Sequence, residues 1–179
     1  MLEFTCHQSL AELETRVKAD LELIAHPRMS WLTPRPAPEG GEALDVLIVG
    51  AGQSGIATAF GLKRSRVDNI LIVDQAMRGV EGPWLTFARM PTLRSPKDYT
   101  GPDLDLPSLS YPSWHVARYS QESWDDLHLI GREDWGHYLL WVRDVVGLDV
   151  ENGTELVSIK PVGDLLAAEL ETRATGTRR

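Results

Sequence analysis

Cysteine is almost absent from this 179-residue chain: Cys6 stands alone, which excludes an internal disulfide and fits a reducing compartment. Long apolar runs are missing as well. No stretch approaches the roughly 18 residues that a membrane-spanning helix needs, and no secretory apolar segment precedes the first helix. Basic charge is in short supply. Lys and Arg number 18 against 26 Asp and Glu, giving a net charge of −8 without any long basic run. Nucleic acid and anionic membrane surfaces are therefore poor partners, and the chain reads as cytoplasmic. There is no internal repeat, and neither His115 nor His128 has a partner at a spacing that suggests a metal site. The 42% apolar and 25% charged content is that of an ordinary globular protein. The length suggests one domain with an extra arm.

What the chain does have is a glycine-rich turn in a specific setting, Asp45 to Asp74 (DVLIVGAGQSGIATAFGLKRSRVDNILIVD). Val46 to Val49 are apolar on both faces, as a strand inside a parallel sheet requires. Gly50, Gly52 and Gly55 then fit G-x-G-x-x-G. The first permits a tight turn out of the strand, the second lets backbone approach a pyrophosphate, and the third lets helix pack on strand. The helix that opens here directs free N–H groups and a partial positive charge at phosphates. Ile56, Ala59 and Phe60 recur at helical spacing and face the sheet. Ile70 to Val73 form a second strand, and Asp74 ends it, 24 residues after Gly50. A carboxylate there can accept hydrogen bonds from ribose hydroxyls and disfavours a 2′-phosphorylated nucleotide. The expected fold class is α/β, a Rossmann-like parallel sheet built on this βαβ unit.

Before this core, Leu10, Leu13, Val17, Leu21 and Ile24 make an amphipathic helix. Ser9 and Glu12 have capping-box spacing, and Pro27 ends the helix. A helical arm packed on the domain is the reading preferred to a dimerisation helix. The prolines and glycines from Pro34 to Gly41 read as an extended linker. The organisation is thus 1–43, helix and Pro-rich linker, and 44–179, a nucleotide-binding domain. After Asp74, about 70 residues rich in Pro, Trp, Tyr and Arg intervene before the next strand. A segment of that length is usually functional or disordered, and its aromatics argue against disorder. Within it, Arg78 to Trp84 (RGVEGPW) and Ala88 to Asp103 (ARMPTLRSPKDYTGPD) offer a rigid loop, an aromatic wall and cations at Arg89, Arg94 and Lys97. Trp84 is equally readable as a core aromatic, whereas for Lys97 a solvated charge is the preferred reading. Trp135, Leu139, Val142 and Val146 mark another helix, with Glu133 and Asp134 in its first turn and Gly147 after its end. His137 within it reads as a surface residue. Leu148 to Val150 read as a third parallel strand and Asn152-Gly153 as a turn. Leu156 to Ile159 and Leu165 to Leu170 are strands of an antiparallel excursion joined through Pro161 to Gly163.

GAGQSG, the Asp74 strand end, the Gly82-Pro83-Trp84 turn and MPTLRSPKDYTGPDLDLPSLSYPSW together resemble the FAD half of flavin-dependent monooxygenases. The flavin-containing and N-hydroxylating enzymes are the relevant group, and the resemblance runs from Leu44 to about Ile159. It implies that Gly50, Ala51, Gly52, Gln53, Ser54 and Gly55 hold the FAD pyrophosphate. It places Asp74 and Gln75 at the adenosine ribose, and Gly82, Trp84 and Arg94 near the flavin. Glu81 stands where the family usually has a glycine. The implied activity uses NADPH to reduce FAD, with O2 as oxidant and oxygen transfer to a small organic substrate. No residue can be named as catalytic, and nothing fixes the oligomeric state. The family's returning strand and its NADPH motif are not found. Ala174-Thr175-Gly176 spells the strand-end triplet but follows no apolar strand. Two nucleotide domains need about 300 residues, so the chain reads as the N-terminal part of a larger oxidoreductase. A disulfide reductase is excluded because no cysteine follows the second strand. A nicotinamide-dependent oxidoreductase that uses the glycine motif directly stays open, although the long segment counts against it. A truncated nucleotide-binding module without activity also stays open.

Overall fold

The computed structural model describes residues 9–24, 27–99 and 101–179; Cys6 and Thr100 lie outside them. Helix α1 spans Leu10–Leu23, and its N-cap Ser9 accepts from Glu12 N at 3.3 Å, one half of the expected capping box. Leu13 and Val17 on its apolar stripe are fully buried in the core. The linker is tied down: Pro36 bridges Glu42 across a turn containing Gly40 and Gly41. Trp31 Nε1 also donates to Ser65 O at 2.8 Å.

Strand β1 (Val46–Val49), helix α2 (Gln53–Arg64) and strand β2 (Ile70–Asp74) form the βαβ unit, with β1 and β2 parallel from Val46–Ile70 to Val49–Val73. Ile56, Ala59 and Phe60 are buried, as their spacing requires. Strand β3 (Glu151–Asn152) continues the sheet on the far side of β2, giving the order β1-β2-β3. Two expectations change here. The third strand lies at Glu151–Asn152 instead of Leu148–Val150. Gly147, at φ +64°, turns the chain out of the preceding helix, and it reaches β2 only where Glu151 meets Val73 and Asn152 meets Asp74. Leu148 and Val150 are buried beneath that approach. The strand at Val46–Val49 is not covered on both faces: Ile48 is buried but Val49 is 54% exposed, and among the described residues the strand lies at the sheet edge.

The long segment after β2 is structured, as its aromatics imply, and contains regular elements. It holds a 3₁₀ turn at Pro107–Leu109 and helices α3 (Tyr111–Arg118) and α4 (Gln121–Asp126), capped by Ser110 and Ser120. Helix α5 (Arg132–Val145) follows, with Glu133 and Asp134 in its first turn and His137 on its exposed side. Helix α1 packs on α3, α5 and the 3₁₀ turn. A second sheet carries β4 (Thr154–Val162), β5 (Leu165–Thr172) and β6 (Thr177–Arg178), all antiparallel. Strand β4 runs on through Pro161, so the hairpin turns at Gly163 (φ +59°) and Asp164 instead of from Pro161. Ala174-Thr175-Gly176 lies in the turn between β5 and β6, with Gly176 N bonded to Thr172 O at 2.8 Å.

Candidate nucleotide site

The glycine motif is shaped by contact. A Cβ on Gly55 would collide with the Gly50 carbonyl oxygen, with the carbonyl carbon at 2.9 Å, so α2 lies directly on the end of β1. Gly50 has φ +100° and open space where a side chain would stand. Gly52 is the N-cap of α2 and contributes no side-chain cap, and no acid occupies the first turn. The first α-helical bond is Ile56 N to Gly52 O at 3.0 Å. The N–H groups of Gln53, Ser54 and Gly55 precede it and, together with the helix dipole, suit an anion. Gln53 and Ser54 are exposed, and Ala51 is buried.

Asp74 is 7% exposed and is engaged by backbone on both oxygens. Its Oδ2 accepts from Ala51 N and its Oδ1 from Ala76 N, both at 2.7 Å. The carboxylate thereby fixes the glycine loop to the end of β2, a role its sequence position did not disclose. Gln75 beside it is exposed.

The Gly82-Pro83-Trp84 turn lies against the glycine loop. A Cβ on Gly52 would stand 3.6 Å from Gly82 Cα, and one on Gly82 would stand 3.5 Å from Gly52 Cα. A small cavity of about 10 Å³ beneath the loop is lined by Ala51, Gly52, Glu81 and Trp84, among others. A larger one of about 520 Å³ opens on the other side of Trp84. Met90, Leu93, Ile130, Trp84 and Trp135 form its apolar wall; Gln53, Arg94, Ser95 and Tyr99 are its polar groups. The chain positions this wall by backbone pairing. Leu93 N donates to Ile130 O at 2.8 Å and Arg132 N to Pro91 O at 3.0 Å. Trp135 at the start of α5 donates Nε1 to Gln53 Oε1 at 3.1 Å and meets Trp84 edge-on, with centroids 6.4 Å apart. Trp84 Nε1 is buried without a partner among the described residues. Arg94 is exposed. Lys97 is not a solvated charge: its Nζ lies 4.5 Å from the Trp124 ring centroid and donates to Trp124 O at 2.5 Å, at the end of α4.

Behind the wall lie Tyr111, Trp114, Trp124 and Tyr138, with His115 among them. His115 lies 3.0 Å by Nε2 from Ser123 Oγ, and burial lowers its pKa from the ordinary value, so the ring is neutral. Burial raises Tyr111 and Tyr138. Sequence reasoning weighed His115 only as a metal ligand and missed its burial against Tyr111 and Ser123; it also missed the Gln53–Trp135 bond, which joins residues that no local spacing connects.

Residues 47–175 match the FAD-NAD(P)-binding family model. The chain belongs to the FAD-NAD(P)-binding family. The resemblance carried by GAGQSG and the segment after β2 is borne out at that level. This family member is 47% identical over 153 residues to the FAD-dependent urate hydroxylase of Xanthomonas campestris pv. campestris, covering 86% of this chain and 32% of the relative. Its fold is similar to that of the ornithine hydroxylase PvdA from Pseudomonas aeruginosa. The TM-score is 0.61 at 20% identity, over 76% of this chain and 36% of that one. It is similar too to DfoA, an FAD-bound cadaverine monooxygenase from Erwinia amylovora. There the TM-score is 0.56 at 14% identity, over 78% of this chain and 33% of that one. The chain thus spans about a third of the length of each relative. Among the described residues, no helix is long and apolar enough to cross a membrane, and no group of His, Cys, Asp and Glu side chains could hold a metal.

Proposed function

We propose that this chain is the FAD-binding part of an NADPH-dependent flavin monooxygenase, and that urate or a related small heterocycle is the substrate of the whole enzyme. The observation that carries the reading is the meeting of the uncapped α2 N-terminus, the open Gly50–Gly52 backbone and the aromatic cavity at Gln53 and Trp84. One part suits a pyrophosphate. The other suits a planar ring, and its volume falls within the roughly 300–1,000 Å³ typical of small-molecule sites. Gly50 to Gly55 would hold the diphosphate through backbone N–H groups, while Asp74 keeps the loop in shape and has lone pairs left for a ribose. Gly82 and Trp84 would close the slot. The orphaned Trp84 Nε1 is a donor that a ring acceptor could satisfy. When bound, FAD would supply the redox chemistry, taking reducing equivalents from NADPH and passing them to O2.

The protein's part is to bind, orient and keep water from the ring. Among the described residues, Arg94 is the only charged one lining the cavity, and no carboxylate joins it. An arginine without a carboxylate partner disfavours a cationic amine beside that ring and favours an electron-rich or anionic heterocycle, in line with the Xanthomonas relative being a urate hydroxylase. The test has two stages. FAD and NADH are titrated into the purified chain. The full-length protein with this segment is then assayed for FAD- and NADPH-dependent O2 consumption with urate, ornithine and cadaverine. Tight FAD binding and turnover of urate alone support the proposal; binding of NADH without FAD, or turnover of an amine alone, contradicts it.

A further inference from the structure

Glu81 immediately precedes the turn that meets the glycine loop, and its carboxylate is sealed inside the protein with a side chain 3% exposed. One oxygen accepts from Arg143 Nη1 at 2.5 Å and from Asn152 Nδ2 at 2.6 Å; the other accepts from Gly79 N at 2.7 Å. Arg143, itself 5% exposed at the side chain, also donates from Nη2 to Asn152 Oδ1 at 3.0 Å. Asn152 Nδ2 reaches Ala76 O at 3.0 Å as well. Three elements meet in this node: the loop after β2, helix α5 and the end of β3. Arg78 and Asp144, on the same loop and helix, add an exposed bridge at 2.7 Å.

A buried ion pair is a poor source of stability, because desolvation offsets most of its Coulomb attraction and apolar residues of similar volume do as well. What a guanidinium fork supplies, with one prong on the Glu81 carboxylate and the other on the Asn152 side-chain carbonyl, is direction. The backbone so directed is the one that brings Gly82 against Gly52, and Glu81 lines the small cavity under Ala51 and Gly52. Helix α5 is pressed onto the same loop: a Cβ on Gly136 would stand 2.6 Å from Leu85 Cγ.

We infer that the Glu81–Arg143–Asn152 node is a positioning device that sets the gap between the Gly82-Pro83-Trp84 turn and the glycine loop, and hence the competence of the dinucleotide slot. The inference rests on the FAD reading above. Glu81 is a positioning residue and acts through Gly82 and Trp84. Without the node, the turn drifts from Gly52, and affinity falls with the fraction of molecules in the competent arrangement.

The test uses the full 179-residue chain and three variants: Glu81→Gln, Arg143→Met and the double Glu81→Leu/Arg143→Met. Four quantities are measured: FAD affinity, visible circular dichroism of the bound flavin, Tm, and hydrogen exchange of the amides at 79–84. Each single variant should weaken FAD about tenfold, the effect of a turn competent in a tenth of the molecules, and should lower Tm. The double variant should regain Tm, since no charge is left buried and unpaired. It should not regain affinity or the flavin dichroism, and exchange at 79–84 should stay fast. Single variants that bind FAD as the parent does, or a double variant that recovers both affinity and dichroism, overturn the inference. A parent that binds no FAD defeats the cofactor reading alone. The node is then judged by exchange, and parent-like protection at 79–84 in the double variant overturns it.

Discussion

Gly55 and Gly50 are in contact across the strand-to-helix turn, and the space between them has no room for a methyl group: a Cβ on Gly55 would strike the Gly50 carbonyl. Because the obstacle is backbone, it cannot rotate away. Gly55→Ala should therefore lift α2 from β1 and cost about 3 kcal/mol, the upper end of ordinary overpacking. Thermal unfolding followed by circular dichroism measures this, and a Tm equal to the parent's would contradict the packing.

Gly52 predicts the opposite behaviour. Its φ of −72° is open to any residue, and a Cβ would find only an ordinary 3.6 Å contact with Gly82 Cα. Gly52→Val should fold with a near-parental Tm while its methyls occupy the approach to the phosphates. Calorimetric titration of FAD should then show little or no binding.

Asp74 gives a coupled outcome. Asp74→Ala orphans the Ala51 and Ala76 amides, each bonded to it at 2.7 Å. An unsatisfied buried amide costs about 1–3 kcal/mol. Stability and FAD affinity should fall together, in denaturant melts and in titration. Weaker FAD binding at unchanged stability would assign Asp74 to the ligand alone.

The βαβ unit was legible because its determinants are local. Glycine spacing, a helical apolar stripe and two short apolar runs leave few alternatives. Strand β3 was misplaced because Leu148 and Val150 are apolar for burial, whereas pairing is decided by where Gly147 sends the backbone. The surroundings of Asp74 were hidden because a carboxylate accepts equally from ribose or from amide. The Glu81 node joins residues 62 and 71 positions apart, beyond any local pattern. Two signals did exist: an acid in a turn where the resembled family usually has glycine, and Arg143 four residues after Leu139 on the apolar side of α5.

His115 predicts a pH dependence. Its pKa is lowered, chiefly by burial, so the folded state holds it neutral while the unfolded chain takes up a proton near pH 6.5. The unfolded state then binds more protons, and stability rises with pH. This contribution is complete above about pH 6.5 and is lost as pH falls from there toward the lowered folded value. The Tm should drop between pH 7.5 and 5.5 by more in the parent than in His115→Gln.

The edge strand predicts association. Val46 to Val49 carry no charge, pair only with β2 among the described residues, and leave Val49 54% exposed. Open apolar edges recruit further strands. Light scattering after size exclusion should show mass rising with concentration for the 179-residue chain, and Val49→Lys should suppress the rise. A monomer at all concentrations would contradict this.

The central claim is that the glycine loop, Asp74 and the Trp84 turn together form an FAD slot, and calorimetric titration of FAD into the parent chain beside Gly52→Val tests it most directly. The account predicts one FAD per parent chain, none for the variant at matched Tm, and no competition by NADH; equal binding by parent and variant, or NADH binding in place of FAD, would contradict it.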